Sequence, residues 1–181
     1  ELCKELNYFR KVNPIGNSPF WIIGEAPGKD EERTGIPFVG KSGMLLNSTL
    51  GKAGTDRTAF HITNILKCRP PNNRTPKDVE RKNCMKWLEI EFTLHKPLCV
   101  LLLGSTSANA FGITQITKSR GKVYDKTIGG ITFKAIPTYH PSYVMRLNTV
   151  KVNNEFLSDI KTFLVSCGIK PVSRITTFGD F

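Results

Sequence analysis

Residues 98–103, LCVLLL, form a continuous apolar run ended by Gly104. A strand with one wet face alternates polar and apolar residues. A run without alternation has both faces buried, as in a parallel sheet covered by helices. Three shorter segments read as further strands: residues 20–23 (FWII) closed by Gly24, residues 59–65 (AFHITNI) and residues 131–136 (ITFKAI). Helical patterns lie between them. Residues 41–53 form one. Another begins at Thr75-Pro76, with Thr75 as N-cap, Pro76 at the first helical position and Asp78 in the first turn. It runs to about His95 and places Trp87, Ile90 and Leu94 on one face. Residues 105–111 form a third. Residues 153–167 form the last, with Phe156, Ile160, Phe163, Leu164 and Cys167 on one stripe and Gly168 as its stop. Strand–helix alternation predicts an α/β domain with a mainly parallel sheet.

Such sheets bind ligands beyond the carboxyl ends of their strands. The first strand is followed by Gly24-Glu25-Ala26-Pro27-Gly28. The second ends at Asn64, shortly before Cys68-Arg69-Pro70-Pro71. Gly104-Ser105-Thr106 follows the third, and Tyr139-His140-Pro141-Ser142 the fourth. Every unusual polar segment therefore falls at one sheet edge, which points to one composite site. Glu25, in a tight Gly/Pro turn, could orient water or simply cap the next segment. His140, held extended before a proline, could donate to a developing anion or be satisfied by backbone at a turn. The Asn64 amide offers a donor and an acceptor suited to a pyrimidine edge, although Asn also starts turns. Phe38 could stack on a base or be core. His61, mid-strand, reads as packing or a surface position, and His95 as a helix-ending residue that suits the dipole.

The length of 181 residues fits one domain, and the net charge of +11 suits either a polyanionic partner or solubility alone. Lys and Arg are spread along the chain, so charge locates no binding face. There is no apolar stretch of bilayer length and no signal-peptide pattern, so a soluble intracellular protein, cytoplasmic or nucleoid-associated, is expected. The chain starts at Glu1 without Met, and a domain cut from a longer chain is one reading of that. Five cysteines, an odd number, do not suggest a disulfide framework. Cys99 and Cys167 read as core. Cys68 and Cys84 are two thiols, too few for a closed four-ligand metal site, and Cys3 is available as a further ligand.

Together these segments resemble the family-4 uracil-DNA glycosylases, the iron–sulfur type. The matching stretches are GEAPGKDEERTGIPFVGKSG (24–43), ITNILKCRPPNNRTP (62–76), LLLGSTSA (101–108), SRGKVY (119–124) and PTYHPSYVMR (137–146), in order and at matching spacing. The resemblance implies a three-layer α/β/α fold around a four-stranded, mainly parallel sheet. It implies an enzyme that extrudes uracil from DNA and hydrolyses the N-glycosidic bond in base excision repair. Glu25 and His140 would be catalytic, Phe38 the stacking ring and Asn64 the amide reading the base. Ala26 and Ser105 would bind substrate. Tyr143, Val144, Met145 and Arg146 look like a loop that wedges into the duplex, with Val144 and Met145 filling the gap. Cys68 and Cys84 match two ligands of a [4Fe–4S] cluster. Uracil-containing DNA is the implied partner and a monomer the implied state.

The chain departs from the family in two places. The family's N-terminal Cys-x-x-Cys pair is reduced here to Cys3, with Leu6 three places on, so the expected ligands are Cys3, Cys68 and Cys84, with the fourth not identified. The segment after Arg146 is shorter and more basic than the family pattern. Relatives that bond covalently to the abasic sugar carry a basic, histidine-containing insertion after the first motif, which GKDEERTGIPFVG lacks. The competing class is a non-catalytic glycosylase-like DNA-binding domain, as in a fusion to a viral DNA polymerase.

Overall fold

A computed structural model describes residues 11–170. In chain order the elements are β1 (Phe20–Gly24), α1 (Lys29–Thr34), α2 (Lys41–Lys52), β2 (His61–Asn64), α3 (Asp78–His95), β3 (Cys99–Leu103), α4 (Ser105–Ala110), α5 (Ile116–Ser119), β4 (Tyr124–Ile128), β5 (Ile131–Thr138), α6 (Pro141–Leu147) and α7 (Val150–Ser166). The sheet order is β2-β1-β3-β5-β4. Neighbours among β2, β1, β3 and β5 run parallel. These are the four expected strands.

The sheet has a fifth strand that the sequence did not announce. β4 pairs antiparallel with β5 across Gly129-Gly130, both at positive φ. It is an edge strand whose residues are only half-buried or exposed, so it carries no apolar run.

β3 is buried along its whole length, as LCVLLL requires. Leu98 itself lies outside the strand and is exposed. Alternate strand residues feed two cores. Ile22, Ile62, Leu101 and Ile136 pack with Leu46, Leu50, Phe156, Ile160 and Phe163 on one face. Trp21, Ile23, Val100, Leu102 and Ala135 pack with Cys84, Leu88, Phe92 and Phe111 on the other. This two-sided burial makes the three-layer α/β/α arrangement.

Two helix starts differ from expectation. α3 begins at Asp78, with Lys77 rather than Thr75 as N-cap. The reason is Glu80, whose carboxylate accepts from the Lys77 amide (2.7 Å) and from both terminal nitrogens of Arg74 (2.9 and 2.6 Å). Its inward face is Cys84, Leu88 and Phe92, whereas Trp87, Ile90 and Leu94 are 50%, 50% and 71% exposed. Both sets repeat at helical spacing, and only the aromatic cluster with Trp21 and Phe133 selects the first. α7 starts earlier than residue 153, because Thr149 Oγ1 accepts from the Val152 amide (3.2 Å). Its stripe of Phe156, Ile160, Phe163 and Leu164 is buried, with Cys167 partly so, and Gly168 ends it at φ +70°.

β1 and β3 are adjacent, but the chain leaves β1 for β2 on one side and β3 for β5 on the other. A crevice therefore opens at their carboxyl ends. Among the described residues no helix is long and apolar enough to cross a membrane.

Candidate active site

That crevice is a cleft of about 510 Å³, and Glu25, Ala26, Phe38, Asn64, Ser105 and His140 all line it. Glu25, Ala26, Asn64, Ser105 and His140 each stand at the end of a strand or just after it, and Phe38 lies in the loop between α1 and α2. Glu25 follows β1, and its carbonyl accepts from the Leu66 amide (3.0 Å), so the turn is tied to the chain leaving β2. Ser107 Oγ donates to the Ile23 carbonyl (3.0 Å) and fixes α4, hence Ser105, against the end of β1.

Asn64 ends β2 and is 4% exposed. Its Oδ1 has no hydrogen-bond partner among the described residues. An unmet buried acceptor is costly, and a cleft that keeps one suits a ligand that donates to it. The Phe38 ring lies beside it. A Cβ added to Gly24 would stand 2.4 Å from Phe38 Cζ and 2.5 Å from Asn64 Oδ1. Glycine at 24 is thus what lets ring and amide meet over the end of β1.

Phe38 takes a left-handed backbone conformation, φ +54°. For a bulky residue this costs roughly 1–3 kcal/mol and must be imposed by its surroundings. Glu31 imposes part of it. Its Oε1 accepts from the Val39 and Gly40 amides (2.9 and 2.8 Å), while its Oε2 accepts from the Gly28 amide (3.0 Å). One buried carboxylate therefore joins the Glu25 turn to the Phe38 loop. On the far side, Gly43 lets α2 approach: a Cβ there would meet the Phe38 carbonyl oxygen at 1.9 Å.

His140 is the N-cap of α6, and its Nδ1 accepts from the Ser142 amide (3.2 Å), with the Ser142 hydroxyl at 2.7 Å. An accepting Nδ1 puts the ring proton of the neutral imidazole on Nε2. Burial pushes the His140 pKa down to about 4, so the neutral form prevails at pH 7. Gly104, at φ +88°, gives the ring room, since a Cβ there would lie 2.8 Å from His140 Cβ. The His140 and Phe38 ring centroids are 6.4 Å apart.

The four α6 residues do not share one environment. Tyr143 packs on Tyr139 (5.0 Å) and under the Arg146 guanidinium (5.5 Å). Met145 is 38% exposed. Val144, expected as a wedge beside Met145, is instead 1% exposed and part of the core. Consecutive helix residues point about 100° apart, and here Val144 meets the core while Met145 faces outward. The other exposed apolar residue of α6 is Leu147, which the sequence did not single out.

Cys68 and Cys84 come together. Both line a small cavity of about 90 Å³, walled also by Lys67, Trp87, Glu91 and residues 11–14. Among the described residues no set of three or more His, Cys, Asp or Glu forms a metal site. Cys3 lies outside the described residues. Cys99 is core, as expected, and its thiol is hydrogen-bonded to Cys167. His61 is buried packing rather than surface. Its ring stacks on Trp21 (4.1 Å) and its Nδ1 donates to the Gly16 carbonyl (2.8 Å).

Glu31, Ser142, Arg57 and the Arg120–Asp159 pair escaped sequence reasoning. Glu31 stands three residues after Gly28 at a helix start, a capping signature that could have found it. Ser142 acts on His140 from two positions away, whereas Arg57 and the Arg120–Asp159 pair act across long separations. Arg120, in the SRGKVY stretch, donates to both Asp159 oxygens (2.9 and 2.7 Å), and Thr138 Oγ1 donates to the same carboxylate (2.7 Å). The network thus grips the end of β5, just before His140.

Residues 10–163 match the model of the family described as the uracil DNA glycosylase superfamily. The chain is 41% identical over 143 residues to a type-4 uracil-DNA glycosylase of Thermotoga maritima, covering 77% of this chain and 73% of the relative. It is 39% identical over 167 residues to a type-4 uracil-DNA glycosylase of Archaeoglobus fulgidus, covering 88% and 83%. A third, from Pyrobaculum aerophilum, is 38% identical over 148 residues, covering 78% and 74%.

Proposed function

The chain belongs to the uracil DNA glycosylase superfamily, and from that premise we propose that its cleft takes up a uracil extruded from DNA and hydrolyses its bond to deoxyribose. The observation that carries this reading is the buried, unmet Asn64 Oδ1 beside the Phe38 ring. Uracil presents an N3–H donor beside its O4 acceptor, and one amide answers both. Cytosine presents a bare N3 and an amino group, so the same amide would leave two acceptors opposed. The Phe38 ring offers the stacking surface.

Cleavage of N1–C1′ leaves negative charge on the base and positive charge on the sugar. The Nε2–H of neutral His140 would donate to O2 as that charge develops. Glu25 would orient the attacking water and oppose the sugar cation. Water adds its oxygen to C1′, the bonding pair leaves with N1, and the water proton finally returns to uracil. Ala26 and Ser105 complete the wall, and Tyr143, Met145 and Arg146 lie toward the DNA. The names of the relatives favour this catalytic reading over a non-catalytic DNA-binding module.

Two buried thiols facing one cavity fit the soft donor set of an iron–sulfur cluster. Cys68 and Cys84 would hold a [4Fe–4S] cluster, with Cys3 a third ligand from the segment leading into residues 11–14. When bound, the cluster supplies a structural cross-link. Its chemistry enters no step above. A DNA substrate supports a site of action inside the cell.

The test is single-turnover release of uracil from a labelled oligonucleotide. Wild type should release it rapidly, and His140→Ala and Glu25→Ala should each be slower by about 10²–10³-fold. No release from folded wild-type protein would overturn the reading.

A further inference from the structure

The backbone around Phe38 is gripped from two directions. Glu31 takes the amides that follow it, at Val39 and Gly40. The carbonyls are taken by a residue from a different part of the chain. Arg57 Nη1 donates to the Phe38 carbonyl (2.8 Å) and Nη2 to the Pro37 carbonyl (2.7 Å). Arg57 opens the short 3₁₀ turn Arg57–Ala59 that leads into β2. That turn is itself anchored: Asp56 caps it, accepting from the Thr58 amide at 2.7 Å. The guanidinium is half-buried, and its terminal nitrogens are spent on carbonyls rather than on a carboxylate.

We propose that Arg57 is a positioning residue for base recognition, holding Phe38 in its left-handed conformation so that the ring lies over Gly24 beside Asn64. The inference rests on the stacking role of Phe38 proposed above. The φ of residue 38 depends on how the peptide planes on either side of it are held. With the amides at 39 and 40 fixed by Glu31, the plane of the Phe38 carbonyl is set only if that oxygen is also fixed. A planar fork that bridges two successive carbonyls does this, and a point charge does so less well. Without the fork, Phe38 is free to return to negative φ, which swings its ring away from the amide. Burial lowers the Arg57 pKa, as expected for a cation kept from water by its packing, but a guanidinium stays charged at neutral pH.

The test compares Arg57→Met, Arg57→Lys, Phe38→Ala and the double variant Arg57→Met/Phe38→Ala. Uracil release is measured in single turnover, normalised to titrated active sites. Affinity for the same oligonucleotide without uracil is measured beside it. Loss of one base–aromatic contact slows or weakens recognition on the order of ten- to a hundredfold. Arg57→Met should therefore be about tenfold slower than wild type, with Arg57→Lys between the two and uracil-free DNA bound as by wild type. In the Phe38→Ala background, Arg57→Met should cost nothing further. A merely structural role would lower the folded fraction without changing the rate per active site. A wild-type rate for Arg57→Met, or losses that multiply in the double variant, overturns the inference while the Phe38 reading stands. A wild-type rate for Phe38→Ala itself overturns both. If Arg57→Met does not fold, Arg57→Lys carries the test, and a wild-type rate for it overturns the inference.

Discussion

Protonating His140 would place a charge in a half-buried wall and break the cap that its Nδ1 accepts from Ser142. Its folded pKa of about 4 lies below the value near 6.5 of an exposed imidazole. Between those values the unfolded chain binds the proton and the folded chain does not. Stability from this residue is thus fully present above about pH 6.5 and is lost as pH falls toward 4. In the proposed reaction His140 would then stay neutral through the physiological range. The ring resonances of His140 should therefore show no titration between pH 5.5 and 7.5 by NMR, and the single-turnover rate should have no inflection near pH 6.5 (about the free-imidazole value). An inflection there, absent in His140→Ala, would mean that the imidazole is solvated and the proposed donor state wrong. At this scale the candidates were legible because Glu25, Asn64, Ser105 and His140 each end a strand or follow one. The conformation of Phe38 was not legible, since nothing local in IPFVG requires φ +54°.

The contact of α7 with β5 is closed by a charge buried between them. Asp159 is 3% exposed and bound by Arg120 and Thr138. Burial raises its pKa even though both partners favour the carboxylate, so the pair is costly to build and costlier to break. Asp159→Ala leaves the Arg120 cation without this partner and should destabilise the protein by about 3–5 kcal/mol in urea unfolding. Asp159→Asn keeps an acceptor for Thr138 and removes the buried charge, so its loss should be smaller. Equal losses would mean that packing volume, not the charge network, sets the contact. The same scale shows where periodicity misleads. Two apolar stripes coexist on α3, and the one named from the sequence, Trp87-Ile90-Leu94, faces outward. β4 went unread because an edge strand with one partner needs no apolar run.

Taken as one object, the molecule joins the loops proposed to read the base to the thiol pair through the chain leaving β2. Asn64 and Cys68 are four positions apart on it, so residues on both sites share one backbone. A cluster at Cys68 and Cys84 would brace that segment against α3. Purified protein should then contain iron and absorb near ~400 nm, and Cys84→Ala should lose both and melt at a lower temperature. A colourless, iron-free protein of unchanged melting temperature would exclude the cluster.

The amino-acid sequence by itself determined the four parallel strands and the residues that stand at their carboxyl ends, while their order in the sheet came from the tertiary structure. Hydrophobic runs and the Gly, Pro and Asn residues that close them act over neighbouring positions, so they can be read in place. Tertiary structure alone decided which α3 stripe meets Trp21, that Val144 turns inward while Met145 does not, and that Arg57 reaches the Phe38 carbonyl nineteen positions away. Those outcomes depend on which surfaces meet once the sheet has formed, and contacts between distant positions leave no period in the chain.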